Sequence, residues 1–454
     1  ELIPTASLLC PVLSSVPKDI VGSKRISSNN NKGCYTIIYS RDAGIEAFLS
    51  PSSNVGVGTT NQVSVRLKNY GTTTLTSVTI NWEVGGVTQT PVSLSGLSLT
   101  KFKDTLINLG TFVPSVPKIN LQLKAWTSSP NASTDNFIYN DTAYVAPFVC
   151  DTALNGLYTI GSGGDYADVN TAIQYAINCG ISGPVTFAFL SGSYPSINID
   201  GLILGTDKNN TITFTSATGN ASDVVIGSSG TALLLNRTGN LIFKNLTIGL
   251  TSSTTTYGVE FQGMCENIKF YGCDINAYTS ATSSSYAAVR YYNSSGSPDY
   301  LRDVHFIKNN IDGGYYNFYM YYPAGGTGNM TSSGMSVIID SNNLTNAYYY
   351  GIYTYYYGRY PSISYNTVTP RSSGSSSTWY GIYIYYYHNV DALVGNKVIS
   401  TNASISTIYG IRTYYYYNYT SYSGSGAGLI ANNEIRLTAS SNAYGMYIYM
   451  PYSN

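Results

Sequence analysis

Few side chains in this sequence are of the kinds that make or break covalent bonds, and those few are scattered. Asp303 and His305 stand two apart in the stretch DVH, on one face of a strand, while Asp274, Asp312 and Asp340 fall at turns or strand ends. Hydrolysis of a glycosidic bond calls for two carboxylates at a set separation across that bond. No such pair recurs or clusters. His305 reads as a packed or surface imidazole and His388 as a loop residue. There is no DxDxDG calcium loop, no GxGxxG and no GxSxG, and GSGGD at 161–165 is a glycine-rich turn. The six cysteines make no CxxC pair, which argues against a zinc site or a redox dithiol. The expectation is a chain with no catalytic residues, no metal and no cofactor.

The abundant chemistry is aromatic. Tyrosine occurs 46 times in 454 residues. From Tyr257, Ala287, Tyr316, Tyr350, Tyr380, Tyr409 and Tyr444 an eight-residue stretch recurs, at steps of 30, 29, 34, 30, 29 and 35 residues; YGIYTYYY at 350–357 is typical. A period of that size marks a solenoid with one such strand per coil. Strand alternation sends the third position (Val259, Val289, Phe318, Ile352, Ile382, Ile411, Met446) and the fifth inward, leaving the fourth and sixth outside. Coils of a parallel sheet lie about 4.8 Å apart, so tyrosines at equal positions should stack as ladders. The candidate binding surface is therefore Tyr292, Tyr319, Tyr321, Tyr353, Tyr355, Tyr383, Tyr385, Tyr414, Tyr447 and Tyr449. Exposed aromatic arrays with hydroxyl rims hold sugars and protein partners. Strand propensity and ring stacking offer the plain structural alternative. In the fourth column Glu260 and Arg290 should form an exposed pair worth at most ~1 kcal/mol.

Several elements must position that surface. A second strand follows in each coil, and most of these strands carry an asparagine two places before an apolar residue: Asn309, Asn342, Asn366, Asn396 and Asn433. An inward asparagine at a solenoid turn can stack its amide on the next coil and satisfy turn backbone groups. Val169, Ala172, Ile173, Ala176 and Ile177 have helical spacing, with Asp168 as N-cap and Gly180 as stop, so a helix should cover the open end of the first coil. Upstream, QVSVRLKNYG (62–71), SVTINWEVGG (77–86), DTLINLG (104–110) and KINLQLKAW (118–126) alternate as half-buried strands of a β-sandwich, with Trp82 in its core. Residues 1–41 show no clear period. Local pairing favours the disulfides Cys10–Cys34 and Cys150–Cys179, with Cys265 and Cys273 as separate apolar fillers.

The run DAGI…NQVSVRLKNYG…VTINWEVGGV…NLQLKAW…ND resembles the immunoglobulin-like, CARDB-type adhesion-related domains of bacterial surface proteins. The passage GSGGDYADVNTAIQYAINCGISGPVTF resembles the opening of pectate-lyase-like parallel β-helices, in particular those of Bacteroidota surface proteins exported by the type IX system. The resemblance implies an all-β chain: an N-terminal segment (1–41), an Ig-like sandwich (42–147), and a right-handed parallel β-helix (148–454) with an N-terminal capping helix. The last copy stops in mid-coil, so the helix is expected to continue past residue 454. Type IX export and O-glycans on Thr105, Thr142 and Thr152, each in an Asp-Thr-aliphatic or Asp-Thr-Ala triplet, are further implications.

Charged residues make up 10% of the chain and cancel, so nothing overall draws it to nucleic acid or an anionic membrane. No run approaches the ~18 apolar residues of a membrane span. The reading is an extracellular or cell-surface, non-enzymatic adhesin whose partner is a glycan, another cell or a copy of itself. A polysaccharide lyase or hydrolase on the same scaffold, and a passive stalk, are the alternatives.

Overall fold

The computed structural model describes residues 39–227, 229–252, 254–294, 298–324, 336–386, 388–414 and 428–449. It also gives the backbone of two short antiparallel strands, Leu9–Cys10 and Asn30–Asn31. The expected Cys10–Cys34 pairing lies outside the described residues. Cys150 and Cys179 are both disulfide-bonded, and Cys265 and Cys273 are buried free thiols. The chain divides into two compact units, Glu1–Thr152 and Ala153–Asn454.

The first unit is an antiparallel sandwich. Its smaller sheet holds Ala43–Ser50, Asn61–Asn69 and Asp104–Phe112. In the larger sheet Leu75–Val84 is central, paired with Leu123–Ser128 on one side and with Val87–Thr88 and Val92–Leu99 on the other; Thr142–Val145 extends it beyond Leu123–Ser128. Alternation selects the core: Val63, Val65 and Leu67 from one sheet meet Val78, Ile80, Trp82, Leu123 and Ala125 from the other. Trp82 is buried as expected, and its Nε1 donates to Thr90 O at 3.0 Å, satisfying the indole at no loss of packing. The strand expected over 118–126 begins only at Leu123.

The second unit is a parallel β-helix built on three long parallel sheets, with Gly358–Tyr360 paired to His388–Val390 and Ala392–Val394 to Leu429–Ala431 in two further short parallel sheets. The helix Val169–Cys179 opens it. The Asp168 side chain accepts from Thr171 N, and Val169, Ala172, Ile173 and Ala176 bury against Leu154, Ile160 and Ile181. It packs on Leu154–Ile160 and Ile197–Asp200, the first strands of their sheets, so an otherwise open apolar end is covered. Inside, Phe214, Phe243, Phe270 and Phe306 stack coil on coil, with centroids 5.1, 5.0 and 4.8 Å apart.

At the corner between the first and second sheets the asparagines form a continuous internal ladder. Nδ2 of Asn309 donates to Oδ1 of Asn342, Asn342 to Asn366, Asn366 to Asn396 and Asn396 to Asn433, each at 3.0 Å. The same Nδ2 atoms reach back to carbonyls of the preceding strand, as Asn366 does to Ile339 O at 2.8 Å. The residue before each ladder asparagine has a positive φ: Lys308, Ser341, Tyr365, Gly395 and Asn432. A bend there would strand backbone donors in the core, and the amide takes them up.

His388 is not a loop residue. It begins the strand His388–Val390, is fully buried, and places its imidazole 3.0 Å from Tyr385 O and 3.3 Å from Thr354 Oγ1. Thr354 Oγ1 is in turn 2.7 Å from the Tyr360 hydroxyl. Burial holds the imidazole pKa down to about 4, so it sits neutral in a polar node of the core.

Candidate functional site

The third sheet carries the tyrosines. Its nine strands run in order from Ile197–Asp200 through Gly230–Asn236, Thr255–Gln262, Ala287–Tyr292, Tyr316–Tyr321, Tyr350–Tyr355, Thr378–Tyr385 and Thr407–Tyr414 to Asn442–Tyr449. Register is kept along the fourth column: Arg290 pairs with Tyr319, Tyr319 with Tyr353, Tyr353 with Tyr383, Tyr383 with Arg412 and Arg412 with Tyr447. Inward columns are apolar or small, as expected, for example Val259, Phe261, Phe318, Met320, Ile352 and Ile382, all fully buried.

The sixth column forms the longest ladder. From Tyr292 through Tyr321, Tyr355, Tyr385 and Tyr414 to Tyr449 the ring centroids are 4.7, 5.0, 5.0, 5.4 and 5.1 Å apart. In the fourth column Tyr319, Tyr353 and Tyr383 follow at 5.9 and 5.5 Å.

Two further ladders lie beside these, and sequence reasoning missed both. Tyr316, Tyr350, Tyr380, Tyr409 and Tyr444, the first residues of their repeats, stack at 5.3, 5.1, 4.9 and 4.7 Å. Tyr322, Tyr356 and Tyr386 stack at 5.0 Å per step, all with positive φ just past the strand end. Strict alternation would put the first residue inside with the third. Instead Tyr350 stacks on Tyr353 at 4.4 Å, while Gly351 and Ile352 between them are both buried. The second position is tightly packed in this coil, where a Cβ on Gly351 would lie 2.4 Å from Val368 Cγ1 and 2.5 Å from Gly381 O. Yet buried Asn317 fills the same place while Tyr316 stacks on Tyr319 at 4.5 Å. The recurrent Tyr-Gly pair was the available signal.

The result is a mosaic of rings in several contiguous columns, and its middle is not free surface. Tyr383 is only 6% exposed, because Tyr380 (5.0 Å), Tyr385 (5.1 Å) and the Arg412 guanidinium (4.9 Å) close around its ring. Tyr292, Tyr447 and Tyr449 are the open ones, at 48, 41 and 41%; Tyr319, Tyr321, Tyr353, Tyr355, Tyr385 and Tyr414 are half-buried. Burial, and then its neighbours Tyr292 and Tyr321, push the Tyr319 hydroxyl up to about 12. Tyr350 and Tyr353 are raised further by the same causes. Tyr319, Tyr350 and Tyr353 therefore present neutral hydroxyls at any ordinary pH.

The Glu260–Arg290 pair forms, but not as an exposed one. Glu260 is buried, accepts from Thr231 Oγ1 at 3.0 Å, and lies under an arginine whose guanidinium also covers the Tyr257 ring at 4.9 Å.

The acids considered for catalysis sit on the other two sheets, each with a partner. His305 Nε2 is 2.7 Å from Asp303 Oδ1, with Lys269 Nζ 4.0 Å from the other oxygen. Asp274 accepts from Asn310, and Asp312 from Thr345 and Asn346, all at 2.7 Å. Asp340 accepts from Ser362 Oγ at 2.7 Å. Apart from the Asp303–His305 contact, which lies within one strand, these bonds join neighbouring coils. Of the three threonines expected to carry glycans, Thr152 is exposed, while Thr105 and Thr142 lie half-buried within strands.

The sequence matches no family model and no curated protein. Among solved structures, the CARDB domain of a Pyrococcus furiosus protein, crystallised in complex with di-metal ions, is similar over 26% of this chain and 95% of its own, at 16% identity and a TM-score of 0.22. The solution NMR structure of that domain is similar over 25% and 97%, at 17% identity and a TM-score of 0.21. The sandwich assignment rests on the strand pairing described above.

Proposed function

We propose that this chain is a non-enzymatic binding protein that presents the tyrosine sheet to polysaccharide. One observation supports the reading above others. The same sheet, in the same register, carries Asn198 and Asp200, then Leu234 and Asn236, then Glu260 and Gln262 in its fourth and sixth columns before the tyrosines begin. Those coils fold without the rings, so the rings answer to something other than folding. Flat aromatic faces edged with hydroxyls match the alternating apolar faces and polar rims of sugar rings.

The reading includes a place outside the cell, in keeping with the disulfide-bonded Cys150 and Cys179. Export by a type IX system and a role in adhesion belong to the same proposal.

The test replaces Tyr292, Tyr321, Tyr355 and Tyr385 together by Thr and measures retention on soluble and insoluble polysaccharides, with circular dichroism as the check on folding. A loss of binding of about tenfold or more, with the β signal kept, is the expected result; each stacked contact is worth roughly 0.5–1.5 kcal/mol. Unchanged retention would leave a passive stalk. New chain ends in the polymer would make the protein an enzyme.

A further inference from the structure

The chain is neutral as a whole, yet the tract bearing most of the rings is not. Residues 341–454 contain five cationic side chains (Arg359, Arg371, Lys397, Arg412 and Arg436) against two carboxylates, Asp391 and Glu434. Four of the cations are committed. Arg359 meets Asp391 at 2.5 Å, and Arg436 and Lys397 share Glu434 at 2.5 and 3.9 Å. Arg371 is buried and donates to the carbonyls of Asn346, Ala281 and Gly314 at 2.8, 2.7 and 3.1 Å.

Arg412 is left, and it stands in the mosaic. Its guanidinium carbon lies 4.7 Å from the Tyr409 ring centroid, 4.9 Å from Tyr383, 5.3 Å from Tyr447, 5.5 Å from Tyr380 and 5.8 Å from Tyr414. Its Nη1 donates to the Tyr380 hydroxyl at 3.1 Å, and its Nε is sealed from solvent without a partner. Among the described residues no carboxylate lies within ion-pair distance. The segments 415–427 and 450–454 contain no Asp or Glu that could supply one.

The other arginine of this column is the internal control. Arg290 also lies over tyrosine rings, but Glu260 in the preceding coil cancels its charge. In the coils before and after Arg412, that place is taken by Tyr383 and Tyr447. Ring faces hold a cation in place without neutralising it. A planar, always-charged fork left half-buried in such a setting matches a carboxylate or sulfate.

Building on the polysaccharide reading, we infer that Arg412 and the tyrosines around it form a subsite for an anionic group on the bound glycan. The acidic sugar stacks on the rings, and its charge meets the guanidinium.

The experiment uses three probes on one β-glucan backbone: carboxymethylcellulose, cellulose sulfate and neutral hydroxyethylcellulose. The wild-type chain should bind the charged polymers more tightly than the neutral one, with the difference shrinking as salt rises. Arg412→Gln should erase that preference, a loss of about tenfold or more on the charged polymers, and weaken the neutral polymer clearly less. Arg412→Lys, which keeps the charge, should retain part of it. The two charged arms separate carboxylate from sulfate.

The inference fails if the wild type shows no charge preference, or if Arg412→Gln weakens all three polymers alike, which would make Arg412 a cement for the rings. It fails too if Arg237→Gln, at an exposed arginine beside the polar coils, has the same effect, since that would be a general charge effect. Failure of the wild type to bind any of the three would sink the polysaccharide reading itself. Neutral binding without acid preference would sink this inference alone.

Discussion

The third sheet is two surfaces on one backbone. Its first three strands hold a single tyrosine, Tyr257, and show polar or aliphatic residues in the outward columns; its last six carry the ladders. Both parts share register, and both bury apolar pairs such as Ile197 with Ile199, Leu233 with Leu235, and Ile382 with Ile384. The difference separates what the coil needs from what it displays. Apolar inward columns recur in both parts, while the corner asparagines begin only at Asn309, the equivalent places before it being Val224, Leu246 and Cys273. The outer columns change most freely.

The comparison can be broken most severely with alkali. Burial, with neighbouring tyrosines adding to it, raises the hydroxyls of Tyr315 and Tyr319 from the ordinary value of 10.0 to about 12. A tyrosine whose folded pKa lies above its unfolded one stabilises fully below pH 10. That stabilisation drains away as pH climbs from there through 12. The aromatic coils should therefore lose structure across that window, read together by phenolate absorbance and circular dichroism. A Tyr315→Phe, Tyr319→Phe chain should hold to higher pH; an identical profile for both chains would show that the rings do not govern alkaline unfolding.

Next in size is the interior. Asn366 donates to Ile339 O and Asn396 Oδ1, and accepts from both the backbone and the side-chain nitrogen of Asn342. Asn366→Ala orphans several of these groups in a dry corner, with an expected loss of about 3–5 kcal/mol in urea unfolding. A loss below about 1 kcal/mol would mean that the ladder only decorates the corner.

The smallest effect sharpens the contrast. Asn236→Tyr with Gln262→Tyr would extend the sixth-column ladder into the polar coils. Stability should move by less than about 1 kcal/mol, while polysaccharide affinity rises. Marked destabilisation would show that the polar coils cannot carry rings, and that the two surfaces differ for folding reasons.

Much of this was legible in the sequence. The repeat spacing fixed the coil, the third and fifth positions named the inward columns, and Asn309, Asn342, Asn366, Asn396 and Asn433 lie in the expected ladder. The capping helix followed from Asp168, Gly180 and helical spacing. Period-two alternation failed at the second position of the repeat, where Asn317, Gly351 and Gly381 are buried beside the buried third residue and the preceding tyrosine lies outside. Exposure failed at Glu260 and Tyr383, because the guanidiniums that cover them, Arg290 and Arg412, come from the next coil and meet them only in the stack. His388 was misread because burial of a polar node depends on Thr354 and Tyr360, which meet it only after folding. The corner conformations of Lys308, Ser341 and Tyr365 left no mark, since none of these is the glycine that a positive φ favours.

The asparagine ladder also bears on how the protein would meet force. Its rungs are 33, 24, 30 and 37 residues apart along the chain, and each coil is held mainly by its immediate neighbours. Pulled from its ends, such a stack has no single point of failure; it peels one coil at a time. Every rung that lets go would release roughly 80–130 Å of slack. A tether built this way lengthens in steps under load while the remaining coils keep their tyrosine face assembled.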